Sequence, residues 1–184
     1  SVTMAAGASN AIIVLAPTND YAWEPTETAV LALSAGGYVI GTPNSATTTI
    51  ADAQSTWYVA TNGSDSADGL GWATAVLTIS TGIKYAEPGG DRVFVSNGTY
   101  TLSAELVLTG AVTVASVNGR DTSVIRRPGG RILSSTHASA VLDGFTLQDA
   151  SYATSAPQGG AAYMTAGTVR NCAIMNNVLQ GNET

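Results

Sequence analysis

Few side chains in this sequence have both the type and the spacing that binding or catalytic chemistry needs. Asp65 and Asp68 lie in residues 62–69, a run of Asn, Gly, Ser and Asp that favours tight turns. Two carboxylates in one loop could bind calcium, but neither the spacing of an EF-hand loop nor its closing Glu follows. We therefore favour the alternative, in which both side chains accept hydrogen bonds within a turn.

The chain has one cysteine and one histidine. Cys172 lies in VRNCAIMNN, whose alternation is typical of a strand, so a buried thiol is favoured over a nucleophile. His137 lies among Ser, Thr and Ala, which favours a solvated loop histidine over a general base. A single cysteine also excludes an internal disulfide framework.

Charge is scarce and unevenly distributed. Charged residues are 11% of the chain and the formal net charge is −6, which argues against a nucleic acid or an anionic membrane as partner. Residues 1–52 contain Asp20, Glu24, Glu27 and Asp52 and no Lys or Arg, and this asymmetry predicts two modules. No apolar run reaches the ~18 residues of a membrane helix, so no membrane span is expected.

The first module is predicted to be antiparallel β-structure. Residues 10–16, 28–34 and 45–51 are rich in Val, Ile, Thr and Leu and are separated by turn residues. Alternation within 28–34 predicts an inward face made by Val30, Leu31 and Leu33. About four strands are too few for a closed sandwich, so half a sandwich is expected.

The same stretch resembles the C-terminal half of a Calx-beta domain, over about 1–52. It shows a Gly-led strand, an Asp and then EPTE, a strand with alternating Leu, the turn GYVIG and a last strand ending IAD. The resemblance implies a calcium site with Asp20, Glu24, Glu27 and Asp52 at the acidic positions, and calcium does prefer six to eight oxygen ligands. The alternative is that these acids are solvated loop residues.

A polar linker at 53–56 leads to a segment that predicts a strand, a Gly/Asp/Ser loop and a short helix. Ile79, Ile83 and Ala86 have i, i+4, i+7 spacing, so the helix should cover a hydrophobic surface before PGG at 88–90 ends it. The pattern YVATNGSDSADG, TISTGI and PGGDRVFVSNGTY resembles the start of parallel β-helix proteins of the pectate-lyase-like class. That resemblance implies a cap over 57–91 and right-handed coils over 92–184.

The rest of the chain predicts repeated coils. Apolar triplets at 93–95, 112–114 and 131–133 recur about 19 residues apart and predict equivalent strands, with 105–110 and 122–127 between them. Residues 141–150 and 169–177 predict equivalent rungs, with Phe145-Thr146-Leu147 stacked on Cys172-Ala173-Ile174 and with Asn171 and Asn176 at corners. This last part also resembles the short repeat of polymorphic outer-membrane surface proteins, which would continue past residue 184. The predicted fold class is all-β: a partial Calx-beta-like sandwich followed by a parallel β-helix with a capping helix.

Enzymes of the pectate-lyase-like class supply an alternative function. They abstract a proton beside a uronate carboxylate with calcium and an Arg or Lys base, or hydrolyse glycosides with paired Asp residues. Four Arg residues within 120–131 could also form one outer face for an acidic partner, or a row that keeps the surface soluble. The candidates for such roles are Asp143, Asp149, Arg120, Arg126, Arg127, Arg131 and His137.

The sequence favours a non-enzymatic role. Low lysine content and Ser/Thr-rich β-modules predict a structural or adhesive segment of a large secreted or cell-surface bacterial protein. From the two ends of the sequence we predict that it is a piece of a longer chain. The unpaired strand edges expected at both ends predict that copies assemble head to tail into filaments. Expected partners are other copies, the remainder of a larger protein, or glycans, with calcium as the expected cofactor. The alternative is a carbohydrate-active β-helix, either a polysaccharide lyase or a glycan-binding stalk.

Overall fold

The computed structural model describes residues 2–3, 6–17, 26–50, 55–86, 90–154 and 159–181. These residues form an all-β chain with one α-helix and one 3-10 turn, as the fold-class prediction required. The chain divides into two compact units, Ser1–Ala53 and Gln54–Thr184. No helix among the described residues has the length and apolar character that crossing a membrane requires.

The first unit contains one antiparallel strand pair, β1 (Glu27–Ala32) and β2 (Ser45–Ile50), with Glu27 opposite Ile50. The strand predicted at 10–16 is wrong, because these residues pair with no described strand. The predicted inward face is wrong as well. Val30 and Leu33 are 63% and 55% exposed, since no second layer of described residues covers that face of the pair.

The second unit is built from short parallel strands and a capping helix. The strands are β3 (Thr56–Val59), β4 (Arg92–Val95), β5 (Gly98–Thr101), β6 (Leu106–Leu108), β7 (Thr113–Ser116), β8 (Ser123–Arg126), β9 (Leu133–Ser135), β10 (Val141–Asp143), β11 (Thr146–Gln148), β12 (Ser151–Thr154), β13 (Ala162–Met164), β14 (Thr168–Arg170), β15 (Ala173–Met175) and β16 (Val178–Gly181). The 3-10 turn covers Trp72–Thr74 and the helix α1 covers Ile79–Ala86.

The strands stack into parallel sheets that run along a solenoid. The first sheet has the order β14-β10-β7-β4-β3, the second β15-β11-β8-β5 and the third β13-β9-β6, while β12 pairs with β16. The coils that begin with β4, β7 and β10 each contribute one strand to each of the three sheets, so neighbours in a sheet are distant in sequence. This arrangement is a parallel β-helix-like fold, in agreement with the prediction for 57–184.

Side chains point alternately inward and outward along each strand, and the inward ones form the core. The inward residues Val93, Val114 and Leu142 stack in register and have no exposed surface. Helix α1 lies at one end of this column, and it buries Ile79, Ile83 and Ala86 as the spacing predicted. A helix with one apolar stripe covers the end of the stack because strands alone would leave that end open to water.

The coil length is not the constant 19 residues that the triplets suggested. Val114 follows Val93 by 21 residues, Leu142 follows Val114 by 28, and Val169 follows Leu142 by 27. The triplet at 131–133 is therefore not equivalent to the first two, since Leu133 opens β9 in the third sheet opposite Leu106. Turns of unequal length change the spacing without changing the stack. The prediction that Phe145-Thr146-Leu147 stacks on Cys172-Ala173-Ile174 is confirmed.

Sharp corners between sheets depend on a few residues in the left-handed region. Asn171 and Asn176 have φ of 54° and 53°, a conformation that Asn and Gly adopt more readily than other residues. Both lie directly after a strand, which confirms their prediction as corner residues.

Candidate functional site

An aromatic surface lies on the outside of the first sheet at the capped end. Strand alternation turns Trp57 and Val59 inward and Tyr58 outward, and Tyr58 is in register with Phe94 on β4. The two outward rings have centroids 6.2 Å apart. Trp72, from the 3-10 turn, lies edge-on to Tyr58 with centroids 4.7 Å apart, and 47% of its surface is exposed.

Trp72 and Val117 line two neighbouring depressions of the surface, and Tyr58 and Phe94 line one of them. The two parts have volumes of about 450 and 360 Å³, within the ~300–1,000 Å³ common for ligand pockets. We call this feature the aromatic groove. Its described lining residues are Tyr58, Thr61, Asn62, Trp72, Phe94, Ser96, Asn97, Ser116, Val117 and Asn118.

Three asparagines form the polar side of the aromatic groove. Asn62, Asn97 and Asn118 each follow a first-sheet strand at the same corner of successive coils, and each precedes a glycine. The Nδ2 of Asn118 donates to the Oδ1 of Asn97 at 2.9 Å, which orients both amides. An amide offers a donor and an acceptor side by side, which suits the paired hydroxyls of a sugar.

The aromatic groove is also uncharged. Among its described lining residues there is no Lys, Arg, His, Asp or Glu. Aromatic faces bind C–H groups through their negative quadrupole, while amides and hydroxyls bind O–H groups. This described lining holds no cation to offset the desolvation of a carboxylate or sulfate, so its chemistry suits a neutral, hydroxyl-rich ligand.

The two loop aspartates serve local structure. Oδ1 of Asp65 accepts hydrogen bonds from the backbone N–H groups of Leu77 and Thr78, at 3.0 and 2.8 Å, just before α1 begins. Desolvation alone would raise the pKa of Asp65, but the hydrogen bonds from Thr78, Thr81 and Leu77 together outweigh it and lower the pKa. Oδ1 of Asp68 accepts from the N–H of Leu70 at 3.0 Å, and hydrogen bonds from Thr74 and Leu70 lower its pKa. The predicted hydrogen bond within a turn is confirmed for Asp68, whereas Asp65 bonds to residues 12 and 13 positions further along the chain.

The candidates for lyase chemistry do not converge on a site. Asp143 is the last residue of β10 in the first sheet and accepts hydrogen bonds from Arg170 Nε at 2.9 Å and Asn171 Nδ2 at 2.8 Å. The bond from Asn171 lowers the pKa of Asp143, desolvation opposes it, and Arg170 lowers the pKa further. Asp149 follows the second sheet and lies 3.0 Å from Arg126. The two aspartates therefore occupy different corners of the solenoid.

The arginine cluster is not one outer face. Arg131 is only 7% exposed, and its Nε donates to Glu105 at 2.6 Å. The hydrogen bond with Glu105 raises the pKa of Arg131 above its ordinary value. Its guanidinium also lies 4.4 Å from the Tyr152 ring centroid, while Arg127 donates to the Arg131 carbonyl. The prediction of four solvent-facing arginines is therefore wrong, because the tertiary fold uses Arg131 to join coils.

The histidine and the cysteine behave as structural side chains. His137 Nδ1 accepts a hydrogen bond from the Ser139 N–H at 3.2 Å within its own loop. Cys172 is half-buried against the core, and burial raises its thiol pKa. Its sulfur accepts a hydrogen bond from the Phe145 N–H at 3.4 Å. A thiol with a raised pKa is a poor nucleophile, in agreement with the sequence interpretation.

Most of the predicted calcium ligands lie outside the described residues. Asp20, Glu24 and Asp52 fall in residues 18–25 and 51–54, and Glu27 is an exposed residue at the start of β1. In the part of the chain that the structure describes, no three His, Cys, Asp or Glu residues are grouped to hold a metal ion. Calcium binding by the first unit stays a prediction.

Sequence reasoning did not find the aromatic groove, although two signals were present. Alternation in Trp57-Tyr58-Val59 and Val93-Phe94-Val95 already places Tyr58 and Phe94 on one face. The dipeptide Asn-Gly occurs at 62, 97 and 118, once after each of the first three strands of that sheet. Neither signal indicates a site until it is known which residues of neighbouring coils lie opposite each other.

In comparisons with known proteins, no family model, no curated protein and no solved structure matches the chain. The resemblances to Calx-beta domains, to pectate-lyase-like proteins and to outer-membrane repeats therefore stay predictions.

Proposed function

We propose that this chain is an adhesive segment of a secreted or cell-surface bacterial protein and that it binds neutral glycans through the aromatic groove. The observation that supports this function is the combination of the Tyr58, Trp72 and Phe94 rings with an ordered amide row in one uncharged groove. A solenoid is a rigid scaffold, so the groove needs little ordering when a ligand binds.

A polysaccharide lyase is the weaker alternative. Its substrate carries uronate carboxylates, which need cations or calcium nearby, whereas the described lining of the aromatic groove has no charged residue. The residues that could act as acid or base are engaged in ion pairs at other corners, as Asp143 is with Arg170. We therefore assign binding rather than catalysis to this groove.

The experiment is calorimetric titration of the full chain with glucan, xylan and mannan hexasaccharides, and with hexagalacturonate as the acidic counterpart. At least one neutral hexasaccharide should bind, and Trp72→Ala should weaken that binding at least tenfold. Tyr38→Ala removes an exposed aromatic ring from the first unit and serves as the matched control. Tighter binding of hexagalacturonate, or equal effects of the two variants, would contradict the proposal.

The proposal for the first unit is a partial Calx-beta-like domain that binds calcium through Asp20, Glu24, Glu27 and Asp52. Carboxylates at these positions, in a module without Lys or Arg, support it. Calcium should raise the midpoint of thermal unfolding in the wild-type chain, and a Glu24→Gln/Asp52→Asn variant should lose that response. A Glu105→Gln variant, altered in the other unit, should keep it. No calcium response in the wild type would refute this part.

Self-association is a second candidate function, supported by one observation. The coil formed by β14, β15 and β16 exposes Ile174, Met175, Val178 and Leu179, with 60%, 47%, 52% and 46% of their surfaces accessible. A further coil stacked on it would cover them, and a second copy can supply one. Light scattering should show concentration-dependent growth that Ile174→Lys abolishes, whereas a monomer at all concentrations would rule the idea out.

A further inference from the structure

A second groove lies beside the aromatic groove, at the β5 edge of the second sheet. It has a volume of about 430 Å³ and runs between the start of α1 and strand β5. We call it the hydroxyl groove, because its described lining is dominated by Thr and Ser. The lining residues are Thr61, Asp65, Leu77, Thr78, Ile79, Ser80, Thr99, Tyr100, Thr101, Leu102 and Ser103.

The two grooves meet at Thr61, which lines both. Thr61 packs directly on Gly98: a Cβ on that glycine would lie 2.5 Å from Thr61 Cγ2. Gly98 has φ of 147° and is the residue between Asn97 of one groove and Thr99 of the other. Thr61 and the Gly98 backbone on which it packs therefore lie between the two grooves.

The walls of the two grooves are joined rigidly. Ser96 lines the aromatic groove and Tyr100 lines the hydroxyl groove. Their hydroxyl oxygens lie 2.9 Å apart, and the Tyr100 hydroxyl donates to the Ser96 carbonyl at 3.1 Å. Because Tyr100 is buried, this connection fixes the relative position of the grooves before any ligand arrives.

The hydroxyl groove suits the same ligand chemistry as the aromatic groove. Thr61, Thr99 and Thr101 are exposed, and their hydroxyls make no hydrogen bond to the described residues. Leu77 adds an exposed apolar patch of 41% accessibility. Asp65 is the one ionisable acid or base, apart from the buried Tyr100, among the described lining residues. It is already hydrogen-bonded to the residues that precede α1.

We infer that the two grooves are consecutive subsites for one linear, neutral oligosaccharide that bends over Thr61. This inference rests on the proposed glycan binding and adds a chain-length requirement. A chain that fills only the aromatic groove gains one set of contacts, and a chain that also crosses Thr61 gains the second without a separate loss of translational freedom. The acidic carboxylate of Asp65 disfavours uronate chains at the same position.

The test measures the dissociation constant for neutral oligosaccharides of two to eight units from the series that binds in the hexasaccharide screen. For the wild type, affinity should rise roughly tenfold or more once the chain is long enough to occupy both grooves. Thr99→Arg fills the hydroxyl groove, so it should remove this gain and leave the affinity for the shortest binding chain unchanged. Val107→Arg introduces an arginine at the exposed position of strand β6, outside the lining of either groove, and serves as the control.

The outcomes separate the two proposals. If short chains bind at the aromatic groove and longer chains gain nothing, the two-subsite inference is wrong and glycan binding stands. The inference also fails if Thr99→Arg weakens short and long chains equally, or if Val107→Arg has the same effect. If no neutral chain of any length binds the wild type, glycan binding itself is wrong and the inference falls with it.

Discussion

The fit of helix α1 on the end of the solenoid can be tested with Gly82→Ala. Gly82 is buried in the helix, and a Cβ there would lie 2.7 Å from Val59 Cγ2 and 2.8 Å from Val93 Cγ1. Ordinary van der Waals contact begins near 3.4 Å, so both valines would have to move by about 0.6–0.7 Å. Neither valine has any exposed surface into which it could move.

Two effects of opposite sign decide the outcome. Replacing Gly by Ala within a helix favours folding by about 1 kcal/mol. Overpacking a closed core costs about 1–3 kcal/mol, and β-branched valines, with restricted χ1, belong in the upper part of that range. We therefore expect Gly82→Ala to lower the free energy of unfolding by about 1–2 kcal/mol.

Urea unfolding of the full chain, followed by tryptophan fluorescence, measures this difference. Ser80→Ala on the exposed face of the same helix is the control and should be neutral or slightly stabilising. In a Val93→Ala background one of the two clashes disappears, so Gly82→Ala should become less unfavourable by about 1 kcal/mol. A stabilising Gly82→Ala, or no coupling to Val93→Ala, would refute the close packing of α1 on β3 and β4.

Three further predictions follow from individual polar side chains. The buried indole N–H of Trp57 donates to Asp91 at 3.0 Å, and Asp91→Ala leaves it without an acceptor. This variant should lower the free energy of unfolding, measured in urea, by about 2–3 kcal/mol. Asp121→Ala, whose native carboxylate side chain is 96% exposed, should change nothing. Because burial raises the pKa of Cys172, iodoacetamide should label it slowly at neutral pH and faster in urea; equal rates would contradict its burial. Asp143 has a lowered pKa, so its stabilisation is present above the ordinary aspartate value of 3.8 and is lost as the pH falls through the lower folded value. Thermal unfolding below about pH 4 should therefore show a steeper loss of stability for wild type than for Asp143→Asn, and parallel curves would count against this ion pair.

The sequence alone was sufficient to predict the elements whose side-chain pattern repeats within a few residues. The spacing of Ile79, Ile83 and Ala86 fixed the buried side of α1 before any tertiary contact was known. The stacking of Leu147 on Ile174 was also predictable, because both lie in similar short rungs followed by polar corner residues. In these cases the information is contained in the side-chain period of the element itself.

Predictions that depended on which strands or coils are neighbours were less successful. The segment at 10–16 has strand composition, but a strand exists only where another strand accepts its hydrogen bonds. The arginines within 120–131 looked alike in sequence, yet Arg131 is buried because the stacking of coils places it between Glu105 of the preceding coil and Tyr152 of the following one.

The sequence by itself determined an all-β chain with a short amphipathic cap and repeated parallel rungs, since periodicity and turn residues are local properties. Only the tertiary structure decided which strands are neighbours, because turns of different length make the coils 21, 28 and 27 residues long. That register places Tyr58 beside Phe94, Asn97 beside Asn118, and Thr61 between two grooves. The candidate binding surface exists because the coils stack, and that stacking brings together residues that are far apart in the chain.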